Sequence, residues 1–241
     1  MTSENGMEQL PGSLAGKTAL VTGGGQRIGA AICRELAARG AYVLIHYLRS
    51  EKGAIGTRRA FEGGGGWTAR VDLADPQGCE WLFREAVEWM GRVDILVNNA
   101  SIFGRDGAVD AALMRAVNVE APLCLSRLMA AQGCDGTIIQ MLDSRIARNN
   151  DGDFSVYAAG KRELAESVPR LAREWAPLVR VNGVAPGPVL APEGVSEKAG
   201  ELPLARRPTP QDVAGAVAWL CEASAVSGQI LYVDGGQHLL A

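Results

Sequence analysis

Tyr157 and Lys161 stand four residues apart in the segment Tyr157-Ala-Ala-Gly-Lys161. That spacing puts both side chains on one face of a helix. A cationic ammonium beside a phenol favours the phenolate and lowers its pKa from about 10 toward neutrality, which suits proton transfer. A surface pair without function has the same spacing. A second candidate lies near the start of the chain, where Thr22-Gly23-Gly24-Gly25-Gln26-Arg27-Ile28-Gly29 follows an apolar run and opens a helical pattern. A turn without Cβ atoms at a helix N-terminus offers backbone N–H groups to a phosphate. A plain tight turn uses the same residues, and only the strand–turn–helix context points to a ligand.

The elements that must hold these residues alternate along the chain. Strand-length apolar runs are Thr18–Thr22, Ala41–His46, Trp67–Val71, Val93–Val97, Thr137–Leu142, Leu178–Val184 and Gln229–Val233. Helical patterns fill residues 28–39, 50–62, 76–90, 109–132, Ser155 to about Trp175, and Pro210–Cys221, with Gly40 ending the first of them. Residues 143–154 read as a loop, and the Pro- and Gly-rich stretch 186–210 as a loop or lid. Apolar strands alternating with helices predict an α/β fold, a doubly wound parallel sheet of about seven strands with helices on both faces. Residues 14–241 are expected to form one Rossmann-type domain, with residues 1–13 a disordered tail.

Composition narrows the function classes. The 241 residues carry 24 Lys plus Arg against 27 Asp plus Glu, a formal net charge of −3, with 47% apolar residues. This excludes bulk disorder and leaves no electrostatic footprint for nucleic acid. No run approaches the roughly 18 apolar residues that span a bilayer. The 30 glycines call for tight turns or close backbone approaches to a ligand. Five scattered cysteines form neither a disulfide framework nor zinc-ligand spacing, so a reduced, cytoplasmic setting and no metal are expected. His46 and His238 lack Cys or His neighbours, and Trp81 and Trp89 read as core or subunit packing.

Taken in order, these motifs resemble the short-chain dehydrogenase/reductase family over residues 17–237. Thr22-Gly23 to Gly29 resembles its cofactor turn, Asp72 its adenine-contacting acid, and Asn98-Asn99-Ala100 its N-N-A-G segment. Asn118 matches the Asn of the fourth helix, Tyr157 and Lys161 the Y-x-x-x-K pair, Pro186-Gly187 the P-G, and Asp234-Gly235-Gly236 the closing turn. The resemblance implies catalysis by Tyr157, Lys161, Asp143 and Asn118. It implies cofactor contacts from Gly23, Arg27, Ile28, Gly29, Tyr47, Arg49, Ser50, Asp72, Leu73, Asn99, Ala100, Ser101, Tyr157, Lys161, Pro186 and Gly187. NAD-preferring members place an acid at the end of the second strand; here Arg49 and Ser50 offer a cation and a hydroxyl for a 2′-phosphate, so NADPH is the expected cofactor.

Three departures from the general pattern resemble the pteridine reductase branch: Arg27 in the cofactor turn, Ser101 with Phe103 after N-N-A, and Asp143 in place of the usual Ser. The branch implies a pterin-like small molecule held by Arg27, Ser101, Phe103, Asp143 and Tyr157, with Phe103 stacking the ring. Phe103 as plain core packing and Arg27 as a phosphate ligand alone remain open. Asp143 precedes Tyr157 by fourteen residues and Ser144 by the family's usual thirteen, although ungapped strand alignment favours Asp143. The leading expectation is NADPH-dependent reduction of a pterin or dihydrofolate-like ring C=N. A carbonyl reductase using Ser144 and a non-catalytic dinucleotide sensor are the alternatives. Against a 3-oxoacyl substrate, nothing between Gly187 and Pro208 is continuously apolar. Family helices like 109–132 and 155–175 pair between subunits, which implies a homotetramer.

Overall fold

Seven parallel strands in the order β3-β2-β1-β4-β5-β6-β7 form the sheet of this computed structural model, which describes residues 13–61, 65–190 and 202–240. The strands are β1 Thr18–Val21, β2 Tyr42–Tyr47, β3 Gly66–Arg70, β4 Ile95–Asn98, β5 Gly136–Met141, β6 Val179–Pro186 and β7 Ile230–Val233. The helices are α1 Arg27–Ala38, α2 Glu51–Arg59, α3 Pro76–Met90, α4 Ala111–Arg115, α5 Ala121–Ala130, α6 Ser155–Glu174 and α7 Pro210–Glu222.

Strand periodicity sorts the core into two layers. Ala19, Val21, Val43, Ile45, Ile95 and Val97 face one way and pack with Ile32 and Leu36 of α1 and Val213 and Val217 of α7. Their neighbours Leu20, Leu44, Leu96 and Ile138 face the other way, onto Leu82 of α3 and Leu125 and Met129 of α5. Both faces of each central strand are therefore buried, which explains continuous rather than alternating apolar runs. The doubly wound sheet expected from the sequence is the one found.

The strand order reverses between β1 and β4, and ligands of such sheets bind beyond the strand C-termini at that point. Thr22, Asn98 and Asn99 sit there. The expected single helix over 109–132 is instead α4, a π-helical turn Ala116–Glu120, and α5. Pro122 at the start of α5 cannot donate a backbone hydrogen bond, and wide π turns commonly mark functional positions. The loop 143–154 contains two short 3-10 turns, Ser144–Ala147 and Gly152–Phe154. The expected tail, apart from Ser13, and the middle of the expected lid, 191–201, lie outside the described residues.

Candidate active site

The turn after β1 is built by backbone contacts that side chains would block. Gly23 has φ +63°, and a Cβ on Gly29 would stand 2.2 Å from the Gly23 carbonyl oxygen and 2.5 Å from Asn99 Nδ2. Asn99 ties the turn to β4, its Nδ2 donating to the carbonyls of Thr22 at 2.8 Å and Gly23 at 3.1 Å. The backbone N–H groups of Asn99 and Ala100 in turn donate to Thr22 Oγ1. His46, read as bland in the sequence, closes the other side. Its Nδ1 accepts from the Gly23 N–H at 3.1 Å, while Nε2 lies 3.1 Å from the Val71 carbonyl and can only donate to it. Burial lowers its pKa to about 4, so at neutral pH the ring is the neutral tautomer this pairing needs.

The turn fits a dinucleotide phosphate. Helices α3 and α7 start with side-chain caps from Asp75 and Thr209, whereas the Gln26 side chain does not cap α1. The first N–H groups of α1 are thus left to an anion by its own N-cap. Arg49 is exposed at the end of β2, and Ser50 beside it fills the space a Gly25 Cβ would take, 2.4 Å from its Oγ. Asp72 is exposed after β3, its Oδ1 accepting from the Ala74 N–H. Leu73 and Tyr47 are buried, and the Tyr47 hydroxyl donates to Glu51. Leu73 therefore offers a ligand its backbone rather than its side chain. Ile28 packs partly against the core. Pro186 ends β6, and Gly187, whose Cβ would strike Asp234 Cα at 2.7 Å, donates its N–H to Val233.

The acid-base groups gather beyond β4 and β5. Tyr157 on α6 is buried and its hydroxyl donates to Asp143 Oδ2 at 3.0 Å. Ser144 turns away and donates to Gln237 Oε1 at 3.3 Å. The Lys161 ammonium, also buried, donates to the Met141 carbonyl at 2.8 Å and lies 5.8 Å from the Tyr157 ring centroid. Asn118 sits in the π turn and clasps the segment after β4: its Oδ1 accepts from Ile102 N–H and Ser101 Oγ, and its Nδ2 donates to the Ile102 carbonyl. Phe103, 44% exposed, meets the Tyr157 ring edge-on at 4.9 Å between centroids. Ser101, Phe103, Asp143 and Tyr157 thus come together, while exposed Arg27, at φ +52°, reaches toward the Leu190 carbonyl.

A sequence profile of the family described as Enoyl-(Acyl carrier protein) reductase matches residues 24–238. The chain belongs to the short-chain dehydrogenase/reductase family. It is similar to 3beta-hydroxysteroid dehydrogenase 1 of Eggerthella lenta, at 34% identity over 94% of this chain and 95% of that protein. Among solved structures, a blue fluorescent protein from a metagenomic library, in complex with NADPH, superposes with a TM-score of 0.86 at 34% identity, covering 93% of this chain and 98% of that one. FolM alternative dihydrofolate reductase 1 from Brucella canis, complexed with NADP, does so with a TM-score of 0.84 at 35% identity, covering 92% and 94%. This chain is an oxidoreductase of that family.

One expectation is reversed in this short-chain dehydrogenase/reductase. Lys161 was expected to draw the Tyr157 pKa down, yet it stands well above 10, because burial disfavours the phenolate and the Asp143 charge and hydrogen bond add to that. Arg145, not Lys161, is the cation that opposes the rise. Burial meanwhile lowers the Lys161 pKa to about 8, with Asp143 partly countering it. The site therefore holds a protonated phenol.

Two further residues of the site carry no motif. Phe154 stacks on Phe103 with centroids 4.9 Å apart, and the Arg145 guanidinium lies over Phe154 at 4.7 Å. One face of Phe103 is thus already covered. The available signal was Phe154 standing one helical turn before Tyr157. The remaining candidates are structural: Trp81 packs on the core, Trp89 is 41% exposed, and His238 stacks on Tyr232 and pairs with Asp234. Among the described residues no cluster of His, Cys, Asp or Glu could hold a metal, and no helix is long and apolar enough to cross a membrane.

Proposed function

We propose that this enzyme reduces a ring C=N of a pterin or dihydrofolate-like substrate with NADPH. The observation that carries the reading is the Tyr157–Asp143 hydrogen bond beside the rings of Phe103 and Phe154. Bound at the α1 turn, NADPH supplies the hydride. Tyr157 holds the proton for the ring nitrogen, and its raised pKa keeps that proton in place until the substrate acquires basic character. Asp143 orients the phenol through the hydrogen bond it accepts, the proton given to the substrate is replaced from water, Lys161 would hold the nicotinamide ribose, and Asn118 fixes Ser101 and Ile102 beside the ring. Phe103, exposed beside Tyr157, offers an aromatic contact, and Ser101 and Arg27 offer edge contacts. The likeness to a FolM dihydrofolate reductase supports the same reading.

Carbonyl reduction is the competing reading, favoured by the likeness to a hydroxysteroid dehydrogenase. Separate substitutions discriminate. Asp143→Ala is expected to lose more turnover than Ser144→Ala, by roughly 10²-fold, the scale of a lost acid-base group. A larger loss from Ser144→Ala overturns the pterin geometry in favour of carbonyl reduction.

For the cofactor, Arg49→Ala is expected to weaken NADPH by roughly 10–150-fold, the value of one charge-assisted contact, and NADH hardly at all. Paired titrations check it, and an unchanged preference refutes the role of Arg49. A homotetramer is proposed on the family pattern, supported by exposed Leu113, Val156, Leu239 and Leu240. A cytoplasmic location is proposed from five free thiols.

A further inference from the structure

The loop between Asp143 and Phe154 brings a cation to the mouth of the site, and its surroundings say what the cation is for. Three acids lie in this loop, and each has its partners. Asp143 accepts from Tyr157 and from the Arg145 backbone N–H; Asp151 binds Arg162 through both oxygens, at 2.7 and 2.8 Å; Asp153 pairs with Arg105. The half-buried Arg145 guanidinium has no carboxylate or carbonyl partner among the described residues. It lies instead over the rings of Phe154 at 4.7 Å and Phe103 at 5.8 Å.

A cation–π contact uses the charge of a guanidinium and leaves its N–H donors unspent. Contact with the two rings confines the guanidinium and removes much of the entropy that a free arginine loses on binding. A guanidinium fork matches a carboxylate bidentately, and this one stands on the aromatic pair that adjoins the Tyr157 ring.

We infer that Arg145 is a specificity-determining residue that receives a carboxylate carried by the substrate beyond the ring or carbonyl reduced at Tyr157. The inference rests on Tyr157 being the reaction centre and narrows the substrate to an acid-bearing compound. Among pterins it selects a ring with an acidic tail over one with a neutral side chain. The uncharged members of the class bind the same aromatic pair without the anchor.

Steady-state kinetics at saturating NADPH test it through the ratio of kcat/KM for an acidic substrate to that for its neutral counterpart. The pair is dihydrofolate against dihydrobiopterin if pterins are reduced, and a keto acid against its amide if only ketones are. Wild type is expected to favour the acid by roughly 10–150-fold, the worth of a charge-assisted pair, chiefly through KM. Arg145→Gln should collapse the ratio toward one and Arg145→Lys should keep part of it. Equal kcat/KM for both members in wild type, or a ratio unchanged in Arg145→Gln, overturns the inference. Reduction of ketones alone overturns the pterin reading and leaves the Arg145 ratio to be read on the keto acid pair.

Discussion

Replacing Tyr157 by Phe is expected to lower kcat by 10²–10⁴-fold, the range of a lost general acid, while NADPH still binds. The substitution removes one oxygen from a buried ring whose hydroxyl donates to Asp143 at 3.0 Å, and the ring stays packed against Phe103. Asp143 retains its second oxygen on the Arg145 N–H at 2.8 Å, so the loop keeps an anchor. Single-turnover rates with a cofactor titration separate the two quantities. Near wild-type turnover in the Phe variant would remove Tyr157 from the chemistry.

Lys161→Met is expected to produce a more stable and nearly inactive enzyme. Burial moves the ammonium from a pKa of 10.5 to about 8, which corresponds to about 2–4 kcal/mol against the folded state wherever the lysine is charged in both states. Losing the hydrogen bond to Met141 returns about 1 kcal/mol, so a net gain of roughly 1–3 kcal/mol at pH 7 remains. The sign follows from proton uptake. Below about 8 both states bind the proton and the cost is full; between about 8 and 10.5 only the unfolded chain binds it, so wild-type stability rises with pH there. The Met variant should lack that rise. Turnover in the reductive direction should fall as wild type passes through about pH 8 and the ammonium discharges. Denaturant unfolding at pH 7 and pH 10 checks the stability, and a less stable variant at pH 7 would contradict this account of Lys161.

Much of the fold was legible because burial on both faces leaves a local mark. Val43, Leu44 and Ile45 are consecutive and apolar because helices cover both sides of β2, and such runs need no tertiary knowledge to find. The π turn was not legible. Residues 109–132 keep helical apolar spacing throughout, and one extra residue per turn changes the direction of Asn118 without changing that pattern.

In the site, residues fixed by backbone geometry were found and those fixed by distant packing were missed. Gly23 and Gly29 betray themselves by type, since no other residue fits their φ angle or their clearance. Arg145 and Phe154 sit in an aperiodic loop, and nothing local says that their side chains meet over Phe103. The same blindness reversed the sign at Tyr157. Four-residue spacing reports that Lys161 is near, but the burial that raises the Tyr157 pKa belongs to the assembled sheet and helices. His46 was passed over because its partners, Gly23 and Val71, come from two other strand ends.

Side-by-side NADPH oxidation decides whether a ring C=N is reduced beside Tyr157 and Asp143. Purified enzyme at pH 7 is given dihydropterins in one series and a 3-oxoacyl thioester, a sugar ketone and a ketosteroid in the other, with kcat/KM read from absorbance. Turnover of the dihydropterins is expected, with kcat/KM above that of every ketone. Turnover of a ketone with no pterin or folate reduced would contradict it.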